Sequence, residues 1–95
     1  MENTSIAANL FRGAEAVGGK LHFSEVEMVF KSHAINIQTG ETRISYSDIA
    51  KVGKRQTLLL VPNGMLVVMK DGKEYKFVIW NRKKVIAFIE SRITT

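Results

Sequence analysis

Apolar and polar residues alternate in short runs along most of this chain of 95 residues. Leu21 and Phe23 alternate with polar neighbours, and Val26, Met28 and Phe30 repeat the same period of two. An apolar residue at every second position places one face of a β-strand against a core and the other face in water. The pattern therefore predicts two strands between residues 20 and 31, each with one buried face.

Turn-forming residues separate further runs of the same kind. Gly18-Gly19 predicts a turn or a sharp bend, and Thr39-Gly40 predicts a turn between later strands. Those strands carry their apolar series at Ile35, Ile37, Ile44, Tyr46, Ile49 and Val52, with an irregularity expected at Ala50. Residues 6–16 fit either a first strand or a short helix. Short strands joined by tight turns are typical of an antiparallel sheet or barrel.

The segment from Leu58 to Ile79 is the most informative part of the chain. Apolar runs flank Pro62-Asn63-Gly64 and then Asp71-Gly72, which predicts three strands joined by two turns. Asp and Gly both tolerate the positive φ angles that a two-residue hairpin turn requires. A two-residue turn fixes the register of the two strands that it joins.

The register from a two-residue turn assigns a side to each residue of the hairpin. It pairs the following residues across the two strands: Val68 with Tyr75, and Leu66 with Phe77. Together with Ile79 these residues form the predicted core face. The opposite face is unusually apolar for a solvated surface, with Met65, Val67, Met69 and Val78. Either another element of the fold covers that face, or it is an interface through which the chain self-associates.

A helix closes the chain. Asn81 is a competent N-cap, because its side-chain oxygen can accept a hydrogen bond from a free amide of the first turn. The apolar residues then follow helical spacing on one stripe: Val85, Ile86, Ile89 and Ile93, widened by Ala87 and Phe88. The first turn holds three cations, which the helix dipole disfavours: Arg82, Lys83 and Lys84. They are either chance surface charge or a binding feature. Trp80, just before the helix, is either a core aromatic or an exposed anchor at an interface.

The composition bounds the class of protein. The length corresponds to one domain over residues 1–95, with polar residues 1–5 expected to be frayed. The chain has no cysteine, which excludes disulfides, thiolate catalysis and Cys-based zinc sites. Residues 1–20 do not have the pattern of a secretory signal, and no run reaches the roughly 20 apolar residues of a transmembrane helix. The sequence therefore predicts a cytoplasmic domain.

The net charge of +5 is unevenly distributed. Residues 1–50 carry four basic and six acidic side chains, whereas residues 51–95 carry ten basic and three acidic ones. This asymmetry indicates an anionic partner, or it serves solubility alone. The basic side chains fall in two groups: Lys51, Lys54 and Arg55, and Arg82, Lys83 and Lys84. Nucleic-acid binding is disfavoured, because it calls for aromatics on a stacking face, and Tyr75 and Phe77 are assigned to the core.

The sequence contains no catalytic or metal-binding pattern. His22 and His33 have no Cys, Asp or Glu partner at a convincing spacing and are predicted to be surface residues. Ser47-Asp48 predicts a local side-chain-to-backbone bond rather than a nucleophile. Gly18-Gly19 is not followed by the Lys-Ser/Thr of a phosphate-binding loop. We expect no enzymatic activity, no metal site and no cofactor.

The order of the predicted elements and several local motifs resemble the GRAM domain, a branch of the pleckstrin-homology-like superfamily. The resemblance spans residues 9–91 and rests on these motifs: Gly19-Lys20-Leu21, Met28-Val29-Phe30-Lys31, Ile44-Ser45-Tyr46-Ser47-Asp48-Ile49, and Lys70-Asp71-Gly72-Lys73 with Tyr75 and Phe77. The compact form is similar to small stand-alone bacterial members. The resemblance implies a mainly β fold, in which a bent antiparallel sheet or partly open barrel of about seven strands is capped by one C-terminal helix.

The resemblance also implies a non-enzymatic binding module, since GRAM domains are usually membrane-associated. Combined with the charge, it predicts recognition of an acidic protein or of an anionic phospholipid membrane surface, with peripheral attachment there. The predicted anion-binding residues are the two basic groups, Lys51, Lys54, Arg55, Arg82, Lys83 and Lys84. The alternative is a structural homodimer formed through the apolar face and the adjacent indole, that is, through Met65, Val67, Met69, Val78 and Trp80.

Overall fold

The computed structural model describes residues 1–33, 41–55 and 63–93, with Arg55 as backbone only. Seven strands form one antiparallel sheet, and a single helix follows them. The elements are β1 Ser5–Arg12, β2 Glu15–Phe23, β3 Glu27–Ser32, β4 Glu41–Ser45, β5 Ile49–Arg55, β6 Gly64–Met69, β7 Glu74–Ile79 and α1 Arg82–Ile93. This arrangement confirms the predicted bent antiparallel sheet with one C-terminal helix. The predicted strand at Ile35 and Ile37, the turn at Thr39-Gly40 and the run from Leu58 to Pro62 lie outside the described residues.

The strand order β4-β3-β2-β1-β7-β6-β5 makes β4 and β5 the two edges of the sheet. Residues directly opposite each other in an antiparallel ladder share a face. Leu10 lies opposite both Val17 and Phe77, so β2, β1 and β7 present these residues to the same side. The sheet curls around that side, which we call the inner face. The largest fully buried side chains are Phe30, Phe77, Leu21, Met28, Ile44, Met65, Ile79, Ile89, Val67 and Val85.

Helix α1 covers the inner face of the sheet. Val85 and Ile89 of its apolar stripe are fully buried in the same core cluster as the strand residues. Phe88 contacts Phe23 and Tyr46 edge to face, with ring centroids 5.5 and 5.9 Å away. The predicted stripe is confirmed for Val85, Ile86, Ile89, Phe88 and Ile93, which belong to the core or pack against it. Ala87, which was predicted to widen the stripe, is exposed instead.

The first two strands decide whether residues 6–16 form a strand or a helix, and they correct the turn predicted at Gly18-Gly19. Residues 6–16 form β1, a turn and the start of β2, so they are not helical. Gly18-Gly19 does not form a turn but lies inside β2. A Cβ atom on Gly19 would lie 2.2 Å from the backbone oxygen of Lys31 and 2.8 Å from the ring of Phe30. Glycine is present because β3 and a buried ring approach the backbone closely.

The first residues of the chain are tied to the sheet, whereas they were predicted to be frayed. The amide of Asn3 donates to the carbonyl of Phe23 at 2.9 Å, and the amide of Phe23 donates to the carbonyl of Thr4 at 2.8 Å. Arg92 of the helix forms an ion pair with Glu2 at 2.5 Å. These contacts close one end of the core. The local sequence does not predict them, because the residues that they join lie far apart in the chain.

The hairpin between β6 and β7 is one residue out of the predicted register. The amide of Met69 donates to the carbonyl of Lys73 at 2.8 Å, so the loop has three residues, and its last, Gly72, has a φ of 93°. Tyr75 therefore lies opposite Val67, whereas the prediction placed it opposite Val68. A shift of one residue moves every side chain of a strand to the other face. The predicted sides hold for β7 and are wrong for β6.

The connection from β4 to β5 bears out the irregularity predicted near Ala50. A short 3₁₀ turn, Tyr46–Asp48, links the two strands. The register of β5 against β6 then shifts between Ile49 and Lys51, so Ala50 is the extra residue of a bulge. The strand is regular from Lys51 to its end.

Candidate functional site: a basic rim and an edge groove

Helix α1 and edge strand β5 run in opposite directions. The Nη1 atom of Arg82 donates to the carbonyl oxygen of Gly64 at 3.1 Å, and Gly64 is paired with Arg55, the last residue of β5. At the other end of the helix, Ile93 lines the same depression as Ala50. The start of α1 thus lies beside the end of β5, and the two predicted basic groups meet there through Gly64.

We call the cations at this end, Lys54, Arg82, Lys83 and Lys84, the basic rim. The three lysines are exposed, and Arg82 is half-buried because it reaches Gly64. Lys54 lies opposite Met65, which places it on the inner face beyond the last core layer. Lys51 is also exposed, but it lies toward the other end of the helix. The side chain of Arg55 is not described.

Trp80 stands next to the basic rim in the chain and is 74% exposed. Trp80 is therefore not the core aromatic of the first predicted alternative, and its role as an anchor at an interface stays a prediction. The indole lines a shallow depression of about 260 Å³ on the outer face, together with Ala7, Asn9, Asn63 and Val78. Asn81 follows with a φ of 57°, a left-handed conformation that Asn tolerates. Its carbonyl accepts from the amide of Val85 at 3.1 Å, the first bond of the helix.

The predicted protein interface is corrected by the hairpin register. Met65 and Val67 are 0% exposed and belong to the core, and Met69 packs against it. Val78 is the one strand residue of that set on the outer face, where it lies opposite Gly64. The outer face of β6 carries Leu66 and Val68 instead, both half-buried. A homodimer through Met65, Val67 and Met69 is therefore incompatible with this fold.

A second depression separates α1 from the outer edge of β5. We call it the edge groove; its volume is about 520 Å³, and its lining is Ala50, Lys51, Val52, Ala87, Glu90, Ser91 and Ile93. Small side chains, Ala50 and Ala87, stand on its two sides. The sequence pattern did not predict this groove. The only local indication is Ala87, a small residue among the bulky apolar residues of the helix. That β5 lies at an edge depends on the whole sheet and cannot be predicted from one segment of sequence.

A third depression, of about 410 Å³, lies at the far end of the helix. Tyr46 is one of its lining residues, and the hydroxyl of Tyr46 donates to the carbonyl of Ser24 at 3.0 Å. Burial raises the pKa of Tyr46 to about 12, although the nearby Arg92 opposes the shift. Arg92 also lies 4.9 Å from the ring centroid of Phe88 and is paired with Glu2. The ion pair of Arg92 with Glu2 joins the helix to the N-terminal residues.

Within residues 1–33, 41–55 and 63–93, no three His, Asp or Glu side chains converge on a point where they would hold a metal ion. In the same part of the chain, no helix has the length and apolar content to span a membrane. His33 is exposed, and His22 lies on the outer face opposite Val29, in agreement with the predicted surface positions.

Comparison with known proteins supports the fold. No protein-family profile matches the chain, and no curated protein matches it in sequence. Among solved structures, the C-terminal domain of an unknown protein from Leishmania infantum superposes with a TM-score of 0.80 and 15% identity, over 97% of this chain and 83% of that one. The Slm1 PH domain in complex with D-myo-inositol-4-phosphate superposes with a TM-score of 0.64 and 10% identity, over 97% and 94%. The chain thus has a PH-like fold.

Proposed function

We propose that this domain is a non-enzymatic module that binds the anionic phospholipid surface of a membrane from the cytoplasm. The basic rim supplies the charge, and Trp80 is the interfacial anchor. We further propose that it is a GRAM-type member of the PH-like superfamily, as its motifs indicate. The observation that carries the proposal is a 74% exposed tryptophan that comes just before a helix start with two exposed lysines, Lys83 and Lys84.

An exposed indole next to cations fits a membrane interface for a physical reason. Trp has an apolar body and a polar N–H, and it is enriched at the level of lipid headgroups. A cation close to an anionic bilayer contributes about 1 kcal/mol. Arg82, Lys83 and Lys84 also occupy a helix start, where the dipole disfavours cations and a bound anion would relieve their repulsion. The Slm1 PH domain holds an inositol phosphate, which is consistent with this chemistry on a similar fold.

The predicted basic groups do not contribute equally to this proposal. Lys54, Lys83 and Lys84 are exposed, so they are free to face a membrane. Arg82 is engaged with Gly64 and orders the rim as well as adding charge. Lys51 stands away from the rim beside the edge groove, so we assign it no contact with lipid. A surface of four cations and one indole predicts weak, reversible and salt-sensitive binding.

The single tryptophan of the chain makes this proposal directly testable, since all indole fluorescence arises from Trp80. The native protein is mixed at about 20 mM salt, where screening is weak, with phosphatidylcholine vesicles and with vesicles that contain phosphatidylserine or phosphatidylinositol 4-phosphate at matched surface charge. We expect co-sedimentation and a blue shift of the emission with both anionic compositions and neither with the neutral one. Stronger binding to the inositol lipid at equal charge would show headgroup recognition in addition to charge.

The variant Lys83→Glu/Lys84→Glu tests the position of the site. We expect it to lose at least about tenfold in vesicle affinity, because two cations are replaced by anions. Its stability should not fall, because acidic residues are favourable in the first turn of a helix. The matched control is Lys70→Glu/Lys73→Glu, which makes the same charge change at the exposed hairpin at the other end of β6 and β7. Equal loss in both variants, or no binding of native protein to anionic vesicles, would refute the proposal.

A further inference from the structure

We propose that the free edge of β4 pairs with the same edge of a second copy of the chain, in an antiparallel ladder that has Thr42 on the two-fold axis. This inference goes beyond the membrane proposal, because it concerns a different surface and a different partner. It also differs from the homodimer that the sequence suggested as an alternative, which used apolar residues of β6 that are now seen to be buried.

Strand β4 is an edge that carries both signs of charge. It is the first strand of the sheet order, and among the described residues no strand pairs with its free side. Edge strands usually avoid pairing with another chain by presenting charged side chains, and charges of one sign do this well. Glu41 and Arg43 lie two residues apart on the outer face, opposite Lys31 and Val29 of β3. Opposite charges at this spacing can complement each other in a second copy.

The backbone of β4 shows which residues have free hydrogen-bonding groups. The amide of Tyr46 donates to the carbonyl of Val26 at 3.1 Å, in continuation of the ladder with β3. Alternate residues of a strand direct their amide and carbonyl groups to the same side. Thr42 therefore also bonds toward β3, whereas the groups of Glu41 and Arg43 point to the free side. These two residues can pair with the backbone of another strand without breaking any bond of the sheet.

Charge selects one register from the few that the backbone allows. A two-fold axis pairs the same patch on both copies, and residues with free backbone groups must lie opposite each other. Two of the registers place Glu41 opposite its own equivalent or Arg43 opposite its own equivalent, and like charges directly opposite are destabilising. A register centred on Ile44 leaves Glu41 beyond the end of the partner strand. With Thr42 on the axis, Glu41 of each copy lies opposite Arg43 of the other.

This register extends a row of alternating charges from one copy into the next. Within one copy, Lys31 lies 3.6 Å from Glu41, and Arg43 lies 2.7 Å from Glu27. In the pair, Glu41 would stand between Lys31 of its own copy and Arg43 of the second copy. Arg43 also contacts Glu41 of its own chain at 2.8 Å, but both side chains are exposed and such a pair contributes little. Arg43 can therefore exchange it for the second copy's Glu41.

The other edge of the sheet lacks this property. Strand β5, Ile49–Arg55, has three basic residues and no acidic one. No register of β5 against a second β5 would bring opposite charges together, and its lysines oppose the approach of another copy. Self-pairing is therefore expected at β4 alone, which gives a closed dimer and not an open chain of molecules.

The association of the native protein is measured by sedimentation velocity at about 20 mM salt, where screening is weak. The contact is short, so the dimer should be weak, and the protein is compared from about 10 μM to about 1 mM. We expect a concentration-dependent shift from monomer to dimer. Amide hydrogen exchange of Glu41 and Arg43 should be slower in the concentrated sample, whereas that of Thr42, which is already bonded toward β3, should not change.

Charge exchange between two positions tests the register. Glu41→Arg and Arg43→Glu each place like charges opposite each other and should weaken association at least about tenfold. The double variant Glu41→Arg/Arg43→Glu restores opposite charges and should associate as the native protein does. An equal mixture of the two single variants should form a heterodimer, which also shows that each single variant is folded at β4. The matched control is Glu74→Arg on the central strand β7, which should leave association unchanged.

Three outcomes would overturn the proposal. The first is a native protein that remains monomeric over the whole range of concentration. The second is undiminished association of both single variants, which would place the contact elsewhere. The third is a double variant and a mixture that associate no better than the single variants. None of these measurements involves lipid, Trp80 or the basic rim, so the failure of this proposal and that of the membrane proposal can be told apart.

Discussion

Phe77 lies directly opposite Met65 in the ladder between β6 and β7, and both side chains are fully buried. The ring of Phe77 also meets that of Phe30 from across the core, with centroids 6.3 Å apart. This pairing follows from the three-residue loop that ends in Gly72, and it decides which residues of β6 are core and which are surface.

The register can be tested with two neighbouring lysine substitutions. Val67→Lys places an ammonium group in the core, where it has no partner, and should cost at least about 3 kcal/mol of unfolding free energy. Leu66→Lys changes a half-buried residue on the outer face, where the long side chain can reach water, and should stay within about 1 kcal/mol. Urea denaturation measures both. Equal effects, or a larger effect at Leu66, would mean that β6 has the opposite phase.

Phe77→Ala tests the centre of the core. Removing a fully buried ring leaves a cavity and deletes its contacts with Met65 and Phe30. We expect a loss of about 3–5 kcal/mol in the free energy of unfolding. A change within the error of a denaturant titration would contradict the assignment of Phe77 to the core.

How much the sequence predicts depends on whether its signal is local. The alternation around Leu21, Met28 and Ile44 and the helical stripe at Val85 were sufficient for the sheet, the helix and most of the core. The dipeptide Asp71-Gly72 was not sufficient for the register. It fits a two-residue turn, and it fits equally a three-residue loop in which glycine alone takes the left-handed conformation. That single ambiguity placed Met65 and Val67 on the wrong face.

The features of the candidate site were the least predictable. That the two basic groups meet depends on Gly64, which links Arg55 and Arg82 across 27 positions of sequence. The edge groove depends on which strand ends the sheet. Such relationships arise from the topology of the sheet, and the alternation of apolar and polar residues along one strand does not predict them. Trp80 could be assigned only as a choice between two environments, because a residue at a strand-to-helix junction can face either way.

Gly19 offers a test of close approach with a matched control. Gly19→Ala would press a methyl group against the backbone of Lys31, and a backbone atom cannot move aside cheaply. We expect a loss of about 1–3 kcal/mol, as for other overpacked sites. Gly53→Ala meets nothing within 4 Å and should be neutral or stabilise by up to about 1 kcal/mol. Thermal unfolding of both variants measures the difference; a tolerated Gly19→Ala would contradict the packing of β2 on β3.

Tyr46 predicts a specific loss of stability in alkali. Burial raises the pKa of its hydroxyl from 10.0 to about 12, so the folded state holds this proton more tightly than the unfolded state does. The resulting stabilisation is complete below pH 10 and declines as the pH rises from 10 toward 12, by about 1–3 kcal/mol. Tyr46→Phe cannot titrate and should show a smaller decline over the same interval, although it loses the bond to Ser24 at every pH. If the free energy of unfolding falls by the same amount in the two proteins from pH 9 to 12, Tyr46 does not cause the loss of stability.

Arg82 should be structural, in contrast to the two lysines that follow it. Its guanidinium donates to the carbonyl of Gly64 and thereby holds the start of α1 against β6. Arg82→Ala should lower the free energy of unfolding by about 1–2 kcal/mol, because a charged hydrogen bond is lost from a half-buried position. Lys83→Ala and Lys84→Ala remove exposed cations from the first turn of a helix and should leave stability unchanged or slightly raised. Urea titrations of the three variants measure this division; equal stability of all three would mean that the contact with Gly64 does not hold the helix, and the basic rim would then lack a fixed geometry.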